Sequence, residues 1–229
     1  MTVREAPSAD GGTGRAPVGL LVSDVDSTFL TQEVIELVAD RAGTRAQVQD
    51  VTERAMRGEL DFAQSLHARV ATLAGLSEDV LADVRAELVP TPGAIELFTR
   101  AREAGWVTAL VSGGFHEVID PLARSVGVSH VLANCFEVAD GRLTGHVAGP
   151  VVDRAAKART LRGLAQRHGI AMDATVAMGD GANDIDMVTA AGTGIAFRPK
   201  PALREVADVV LEGPSLLDAW PVLERIAAR

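Results

Sequence analysis

Short apolar runs alternate with segments of helical spacing along most of this chain, and this alternation constrains the fold more than any other feature. Runs typical of buried strands occupy residues 18–22, 106–111, 175–178, 194–197 and 208–211, and helix-like segments lie between most of them. Strands that alternate with helices form mostly parallel sheets covered by helices on both faces. The sequence therefore predicts an α/β fold with a Rossmann-like, mostly parallel sheet.

A block of helical spacing interrupts this alternation directly after the first strand. Residues 31–88 contain four such segments and no convincing strand. The simplest architecture is an α/β core at residues 18–30 and 89–229, with a small helical cap inserted at residues 31–88. Residues 1–17 lack the apolar core of a signal peptide, and we expect them to form a disordered tail.

The middle of the core has weaker strand signals. A short strand is predicted near Val131, and two further runs lie around Phe136 and Leu143. Asp140-Gly141 joins these two runs, and this dipeptide is a strong signal for a β-hairpin. We therefore expect one short strand followed by a separate hairpin.

Composition limits the classes of partner. The net charge of −9 argues against general nucleic-acid binding, which needs a basic surface. No apolar run reaches the ~18 residues of a membrane span, so we expect no membrane association and a cytoplasmic location. The single cysteine, Cys135, excludes an intrachain disulfide and a thiolate metal cluster. We expect a monomer or a homodimer that acts on a small molecule.

Polar residues follow the strand-like runs, at the edge of the sheet where α/β proteins place their chemistry. Asp24 and Asp26 come directly after the first run, and because side chains alternate along a strand, they can project in the same direction. Later segments carry a hydroxyl, glycines, a lysine, an amide and two more acids: Ser112, Gly113, Gly114, Lys157, Asn183, Asp180 and Asp184. If the strands are neighbours, these groups converge on one place.

These residue types suit phosphoryl transfer. Clustered carboxylates without His or Cys partners favour a hard cation, and Mg²⁺ fits best. Ser112 and the amides of the two glycines after it can donate to phosphate oxygens, and Lys157 adds a positive charge. Asp24 can attack phosphorus to give an aspartyl-phosphate. Asp26 can protonate the leaving alkoxide and later deprotonate the attacking water.

The order of these motifs resembles that of the haloacid dehalogenase superfamily. Asp24, Asp26 and Thr28 match its first motif, Asp-x-Asp-x-Thr, and the stretch 179–184 is similar to its fourth. Ser112 and Lys157 match the second and third motifs, in the family's order. The resemblance runs from about residue 18 to the C-terminus. It implies a Mg²⁺ site formed by Asp24, Asp26, Asp180 and Asp184, with Asp26 contributing its backbone carbonyl and Asp184 acting through water.

The helical block narrows this resemblance to the phosphoserine phosphatase family. Residues 24–28 followed by Glu33 are similar to that family's pattern. So are residues 56–62 followed by Arg69, and the stretch 111–115. The resemblance implies a substrate with an ammonium group and a carboxylate beside its phosphate.

The resemblance also implies a role for individual residues. Glu33 is expected to meet the substrate ammonium and Arg69 its carboxylate, while Met56 and Phe62 shield the pocket from water. Lys157 and Asn183 are expected near the phosphate. Read from the residues alone, Glu33 can also be a first-turn acid favoured by the helix dipole, Arg69 a solvated helix arginine, and Phe62 part of the core of the cap.

The resulting prediction is Mg²⁺-dependent hydrolysis of O-phospho-L-serine to L-serine and phosphate, the last step of serine biosynthesis. One alternative is a phosphotransferase that passes the phosphoryl group to another alcohol such as homoserine. A second is a phosphatase for another small phosphate ester. A third is a catalytically silent protein that binds a phosphorylated amino acid, although the intact Asp24, Asp26 and Asp180 argue against it.

Overall fold

A computed structural model of the chain describes residues 3–5 and 16–228, except for the side chain of Met56. The strands are β1 (Arg4–Glu5), β2 (Gly19–Ser23), β3 (Trp106–Phe115), β4 (His130–Ala139), β5 (Arg142–Ala148), β6 (Thr175–Gly179), β7 (Thr193–Phe197) and β8 (Val209–Leu211). The helices are α1 (Val34–Ala42), α2 (Arg45–Met56), α3 (Phe62–Ala71), α4 (Val80–Ala86), α5 (Ala94–Glu103), α6 (His116–Val126), α7 (Arg154–Arg167), α8 (Ile185–Ala190), α9 (Pro201–Arg204) and α10 (Trp220–Ala227).

The sheet has the strand order β1-β4-β3-β2-β6-β7-β8. The strands from β4 to β8 in this order are parallel, whereas β1 and β5 each pair with β4 in the antiparallel sense. Helices cover both faces. Leu21 of β2 belongs to an apolar core shared with α5, α6 and α10, whereas Leu20 and Val22 belong to a second core shared with α7 and α8. The predicted α/β fold class is confirmed.

The central position of β2 determines where the candidate site lies. β2 pairs with β3 on one side and with β6 on the other, and Ser23 lies opposite both Leu110 and Met178. The carboxyl ends of the three strands therefore meet at one edge of the sheet. We expected the polar residues to converge if these strands were neighbours, and β3, β2 and β6 are neighbours in the sheet.

A helical insertion, α1 to α4, follows β2. The chain leaves the sheet through a tight turn, Val25–Phe29, and returns to it at α5. The two connections run side by side: Thr31 N–H donates to the carbonyl of Val89 (3.0 Å), and Thr91 N–H donates to that of Phe29 (2.9 Å). We call residues 29–31 and 89–91 the neck of the insertion.

Two details differ from the sequence-based expectation. The predicted disordered tail is wrong at Arg4–Glu5, which pair with β4 at the edge of the sheet. Residues 1–2 and 6–15 of that tail lie outside the described residues. The two strands expected near Val131 and Phe136 are one strand, β4, because its first half pairs with β3 and its second half with β5. The hairpin at Asp140-Gly141 is confirmed, with positive φ angles of 50° and 70°.

The other differences concern the segments beside the site. Ser112, Gly113 and Gly114 belong to the irregular end of β3 rather than to a loop after it, since the register with β4 shifts between Val111 and Phe115. The short helix α9 was not predicted. Within the described residues, no helix combines the length and the apolarity needed to cross a membrane.

Candidate active site

Asp24 lies directly after β2, where the strand enters the tight turn. Its N–H donates to the carbonyl of Met178 (2.9 Å), which joins this position to β6. Its Oδ1 accepts a hydrogen bond from the N–H of Val25 (2.7 Å). The residue is 1% exposed. Burial, and next the negative charge of Asp184, raise the pKa of Asp24 well above its usual range.

Lys157 provides a buried cation beside this acid. It belongs to the first turn of α7, whose N-terminus is capped by the side chain of Asp153. Its Nζ lies 2.8 Å from Oδ1 of Asp24 and 2.8 Å from Oδ1 of Asp184. Burial acts to lower the pKa of Lys157, but the two carboxylates outweigh it and raise the pKa. Lys157 is therefore a permanent positive charge at neutral pH.

Three buried acids form a set of oxygen donors. One carboxylate oxygen from each of Asp24, Asp180 and Asp184 lies within 4.8 Å of the other two. Asp184 is held in place by the N–H groups of Asp180 and Gly181, which both donate to its Oδ2 at 3.2 Å. Residue 179 must be glycine, because a Cβ there would lie 2.4 Å from the same Oδ2.

This donor set fits Mg²⁺, which binds carboxylate oxygens and retains room for water and phosphate. Burial raises the pKa of Asp180, although the neighbouring Lys200 opposes the shift. Three carboxylates this close repel one another, and a divalent cation relieves that repulsion. The side chain of Asp26 lies outside the set, and its predicted contribution to the metal site is through the backbone carbonyl.

Asp26 instead faces β3 and the start of α1. Its Oδ1 accepts from the N–H of Val34 (2.7 Å), and its Oδ2 accepts from the hydroxyl of Ser112 (3.1 Å). The pKa of Asp26 is raised to about 7, first by burial and second by the negative charge of Glu33. A carboxyl group with this pKa can both give and take a proton near neutral pH, as an acid–base catalyst must.

The expected phosphate donors lie around these acids. Asn183 Nδ2 is 3.3 Å from Oδ2 of Asp24. The N–H of Gly114 donates to Ser112 Oγ (2.7 Å), so this amide has an acceptor within the chain. Phe62, the first residue of α3, covers Gly113: a Cβ on that glycine would lie 3.1 Å from the ring.

Glu33 and Arg69 bring opposite charges to the same pocket from the helical insertion. Both are half-buried. Burial lowers the pKa of Arg69, and the negative charges of Glu33, Asp26 and Glu36 oppose that shift. Among the described residues, neither Glu33 nor Arg69 has an ion-pair partner within 4.0 Å. Met56, also expected here, ends α2, but its side chain lies outside what the structure describes.

Residues 21–189 match the family model of the haloacid dehalogenase-like hydrolases. The chain is 46% identical over 208 residues to the phosphoserine phosphatase of Streptococcus thermophilus, covering 91% of this chain and 97% of that protein. The chain belongs to the haloacid dehalogenase-like hydrolases. Several curated relatives, 41–55% identical to this chain, are phosphoserine phosphatases.

Two further haloacid dehalogenase-like relatives define the extent of the similarity. The chain is 55% identical over 197 residues to phosphoserine phosphatase SerB2 of Mycobacterium tuberculosis, covering 86% of this chain but 48% of that protein. It thus spans about half the length of this relative. A solved structure described as a phospho-aspartyl intermediate analogue of phosphoserine phosphatase superposes with a TM-score of 0.85 at 38% identity, covering 91% of this chain and all of that one.

The structure of this haloacid dehalogenase-like chain adds residues that sequence reasoning missed. Lys200, after β7, places Nζ 3.0 Å from Oδ2 of Asp180, and its N–H donates to the carbonyl of the same residue (2.8 Å). Asn134 joins the carbonyl of Gly113 to the N–H of Val152, each at 2.8 Å. One signal for Lys200 was available, since it is one of two lysines in the chain and follows a predicted strand of the parallel sheet.

Proposed function

We propose that the chain is a Mg²⁺-dependent phosphatase that converts O-phospho-L-serine and water into L-serine and phosphate, the last step of serine biosynthesis. The proposal rests on two sets of residues: acids suited to phosphoryl transfer, and a pair of opposite charges suited to binding a zwitterion. The acids Asp24 and Asp26 follow β2 at the sheet edge, and the insertion carries the opposite charges of Glu33 and Arg69, close enough that Glu33 raises the pKa of Asp26 and Asp26 acts on that of Arg69. A phosphorylated zwitterion satisfies both.

In the first step, a carboxylate oxygen of Asp24 attacks phosphorus, and the bond between phosphorus and the serine oxygen breaks. Asp26, whose pKa is about 7, gives its proton to the leaving alkoxide, so that neutral serine hydroxyl is released. Lys157 contacts Asp24 Oδ1, which supports Oδ2 as the attacking atom. Asn183 lies beside that Oδ2 and can orient it.

In the second step, Asp26 takes a proton from a water molecule, which attacks phosphorus and releases phosphate and free Asp24. Ser112 donates a hydrogen bond to Asp26 and so holds it in place for both steps. Mg²⁺, when held by Asp24, Asp180 and Asp184, supplies neutralisation of charge on the transferring group. Lys157 contributes a fixed positive charge at the same place.

Substrate recognition falls to the insertion in this proposal. Glu33 binds the ammonium group, Arg69 the carboxylate, and Phe62 with Met56 excludes water. Residues 31–88 act as a cap over the core formed by residues 18–30 and 89–229. The side-by-side connections of the neck support opening for substrate and closing for the reaction.

The test is phosphate release from O-phospho-L-serine with Mg²⁺ and with EDTA. Three further esters dissect the pocket: phosphoethanolamine lacks the carboxylate, phosphoglycolate lacks the ammonium group, and para-nitrophenyl phosphate lacks both. We expect metal-dependent release with phosphoserine preferred over all three. Metal-dependent release that favours para-nitrophenyl phosphate would contradict the assigned roles of Glu33 and Arg69.

Homoserine added to the same assay distinguishes hydrolysis from transfer, because a phosphotransferase would form phosphohomoserine in place of free phosphate.

The cytoplasmic location and the monomeric or homodimeric state stay predictions. Size-exclusion chromatography with light scattering tests the oligomeric state.

A further inference from the structure

Ser27 has an unusual backbone conformation for its residue type. It lies in the tight turn after β2, with φ 55° and ψ 7°, in the left-handed region that favours glycine. The turn is closed by two backbone hydrogen bonds, from Leu30 N–H to the Val25 carbonyl (2.8 Å) and from Ser27 N–H to the Gln32 carbonyl (3.2 Å). A glycine would fit this backbone with less strain, so the serine side chain calls for a separate explanation.

The hydroxyl of Ser27 provides one. Its Oγ donates to Oε1 of Glu33 at 2.8 Å. Glu33 occupies the N-cap position of α1, yet its side chain accepts no hydrogen bond from the amides of that helix. The carboxylate therefore bonds to Ser27 rather than to the free amides of the helix. This orientation argues against the reading of Glu33 as a first-turn acid that only stabilises α1.

The hydrogen bond to Ser27 leaves the second carboxylate oxygen of Glu33, Oε2, available to bind a ligand. Ser27 contacts one oxygen, and among the described residues no Lys, Arg or His lies within 4.0 Å of either oxygen. The neighbouring residue, Asp26, accepts from the N–H of Val34 (2.7 Å), so adjacent positions of one turn hold both the acid–base group and the start of α1. The distance between Asp26 and the Glu33 carboxylate is thereby fixed by local contacts.

We propose that Ser27 is a positioning residue that orients Glu33 and so makes phosphate monoesters with a nearby ammonium group the preferred substrates. The hydroxyl fixes Oε1, and Oε2 meets the ammonium group. This inference rests on the proposed function. It assigns to Ser27 a part of substrate selection that is separate from the reacting groups themselves.

The test compares Ser27→Gly with the wild type. Glycine removes the hydroxyl and accepts the left-handed backbone, so the fold is retained, and circular dichroism and the melting temperature verify this. We expect KM for phosphoserine and for phosphoethanolamine to rise about tenfold with kcat nearly unchanged, the loss typical of one hydrogen bond to a charged group. KM for phosphoglycolate, which has no ammonium group, stays the same.

A double-mutant cycle with Glu33→Ala separates positioning from a general structural role. If Ser27 acts through Glu33, Ser27→Gly changes KM for phosphoserine less than twofold in the Glu33→Ala background. Ser27→Asn tolerates the left-handed backbone and supplies an amide donor, so it restores part of the wild-type KM. Equal losses on all three esters, or additive effects in the cycle, would overturn the inference.

The two proposals fail differently. Wild-type protein that releases phosphate from neither phosphoserine nor phosphoethanolamine contradicts the proposed function and, with it, this role for Ser27. Wild-type protein that prefers phosphoserine while Ser27→Gly loses activity equally on phosphoglycolate contradicts the role of Ser27 alone.

Discussion

The ammonium nitrogen of Lys157 lies 2.8 Å from Oδ1 of Asp24, and the lysine side chain is 0% exposed. A second carboxylate, that of Asp184, lies at the same distance from this nitrogen. One buried cation therefore balances two buried acids. Removal of one partner from such a set leaves charges without compensation in a region that water does not reach.

Replacing Lys157 should therefore destabilise the metal-free protein. We expect Lys157→Met to lower the free energy of unfolding by about 3 to 5 kcal/mol, measured by urea denaturation in EDTA. Lys200→Met is the matched control, because Lys200 also contacts an acid of the cluster but its side chain is 63% exposed. It should cost less than about 1 kcal/mol. Equal losses in the two variants would contradict this account.

Replacing Asp24 should abolish the reaction and leave the fold intact. The amide of Asp24→Asn cannot attack phosphorus, so we expect kcat for phosphoserine to fall by about 10⁴-fold or more. The amide oxygen can still accept the hydrogen bonds from Val25 and Lys157, and the melting temperature should remain close to that of the wild type. Near-normal turnover would exclude a covalent mechanism through Asp24.

Added Mg²⁺ should stabilise the protein through the three buried acids. A ligand that binds the folded state at about 100 times its dissociation constant adds about 2.7 kcal/mol of stability, which a rise in melting temperature reports. Asp180→Asn should remove most of that rise. Asp186→Asn is the control, since its carboxylate pairs with Arg154 outside the cluster. A rise that persists in Asp180→Asn would place the metal elsewhere.

Asp26 should make stability depend on pH. Its pKa is about 7 in the folded chain against an ordinary value near 3.8, so the folded state binds the proton more tightly. Stability is then fully present below about pH 4 and is lost as the pH rises towards 7. We expect metal-free Asp26→Asn to lose less stability than the wild type between pH 5 and pH 8. Parallel pH profiles from urea denaturation would refute the raised pKa.

Arg69 should act on the carboxylate of the substrate. Arg69→Ala should lower kcat/KM for phosphoserine about 30-fold or more and leave phosphoethanolamine, which has no carboxylate, within about threefold. Arg57→Ala, an exposed arginine after α2, controls for the loss of a charge from the insertion. A comparable loss on both esters would mean that Arg69 supports the insertion rather than the substrate.

The core acids were predictable because their motifs directly follow strands, and strand ends of a parallel sheet meet at one edge. Asp24, Asp180 and Asp184 needed no knowledge of side-chain contacts, whereas Lys157 lies on α7 and was predicted mainly from the resemblance to the family's third motif. The contact between Lys200 and Asp180 could not be predicted in this way, because it depends on β7 lying next to β6 in the sheet.

The contact between Ser27 and Glu33 was also beyond sequence reasoning, since it depends on a left-handed backbone that serine rarely adopts. The continuous strand β4 was missed for a different reason. Its two halves have different partners, and the local pattern shows each half as a separate weak signal. The pairing of Arg4–Glu5 with β4 is a long-range contact of two residues, which carries no periodicity to detect.

The neck gives the molecule a modular construction. Leu30 and Pro90 pair directly, so the insertion begins and ends at a single point of the core. A segment attached in this way can be shortened, lengthened or exchanged for another without a change in the register of β2 against β3 and β6. Grafting experiments can therefore treat α2 to α4 as a cassette, provided that they keep the start of α1, because the N–H of Val34 holds Asp26 there.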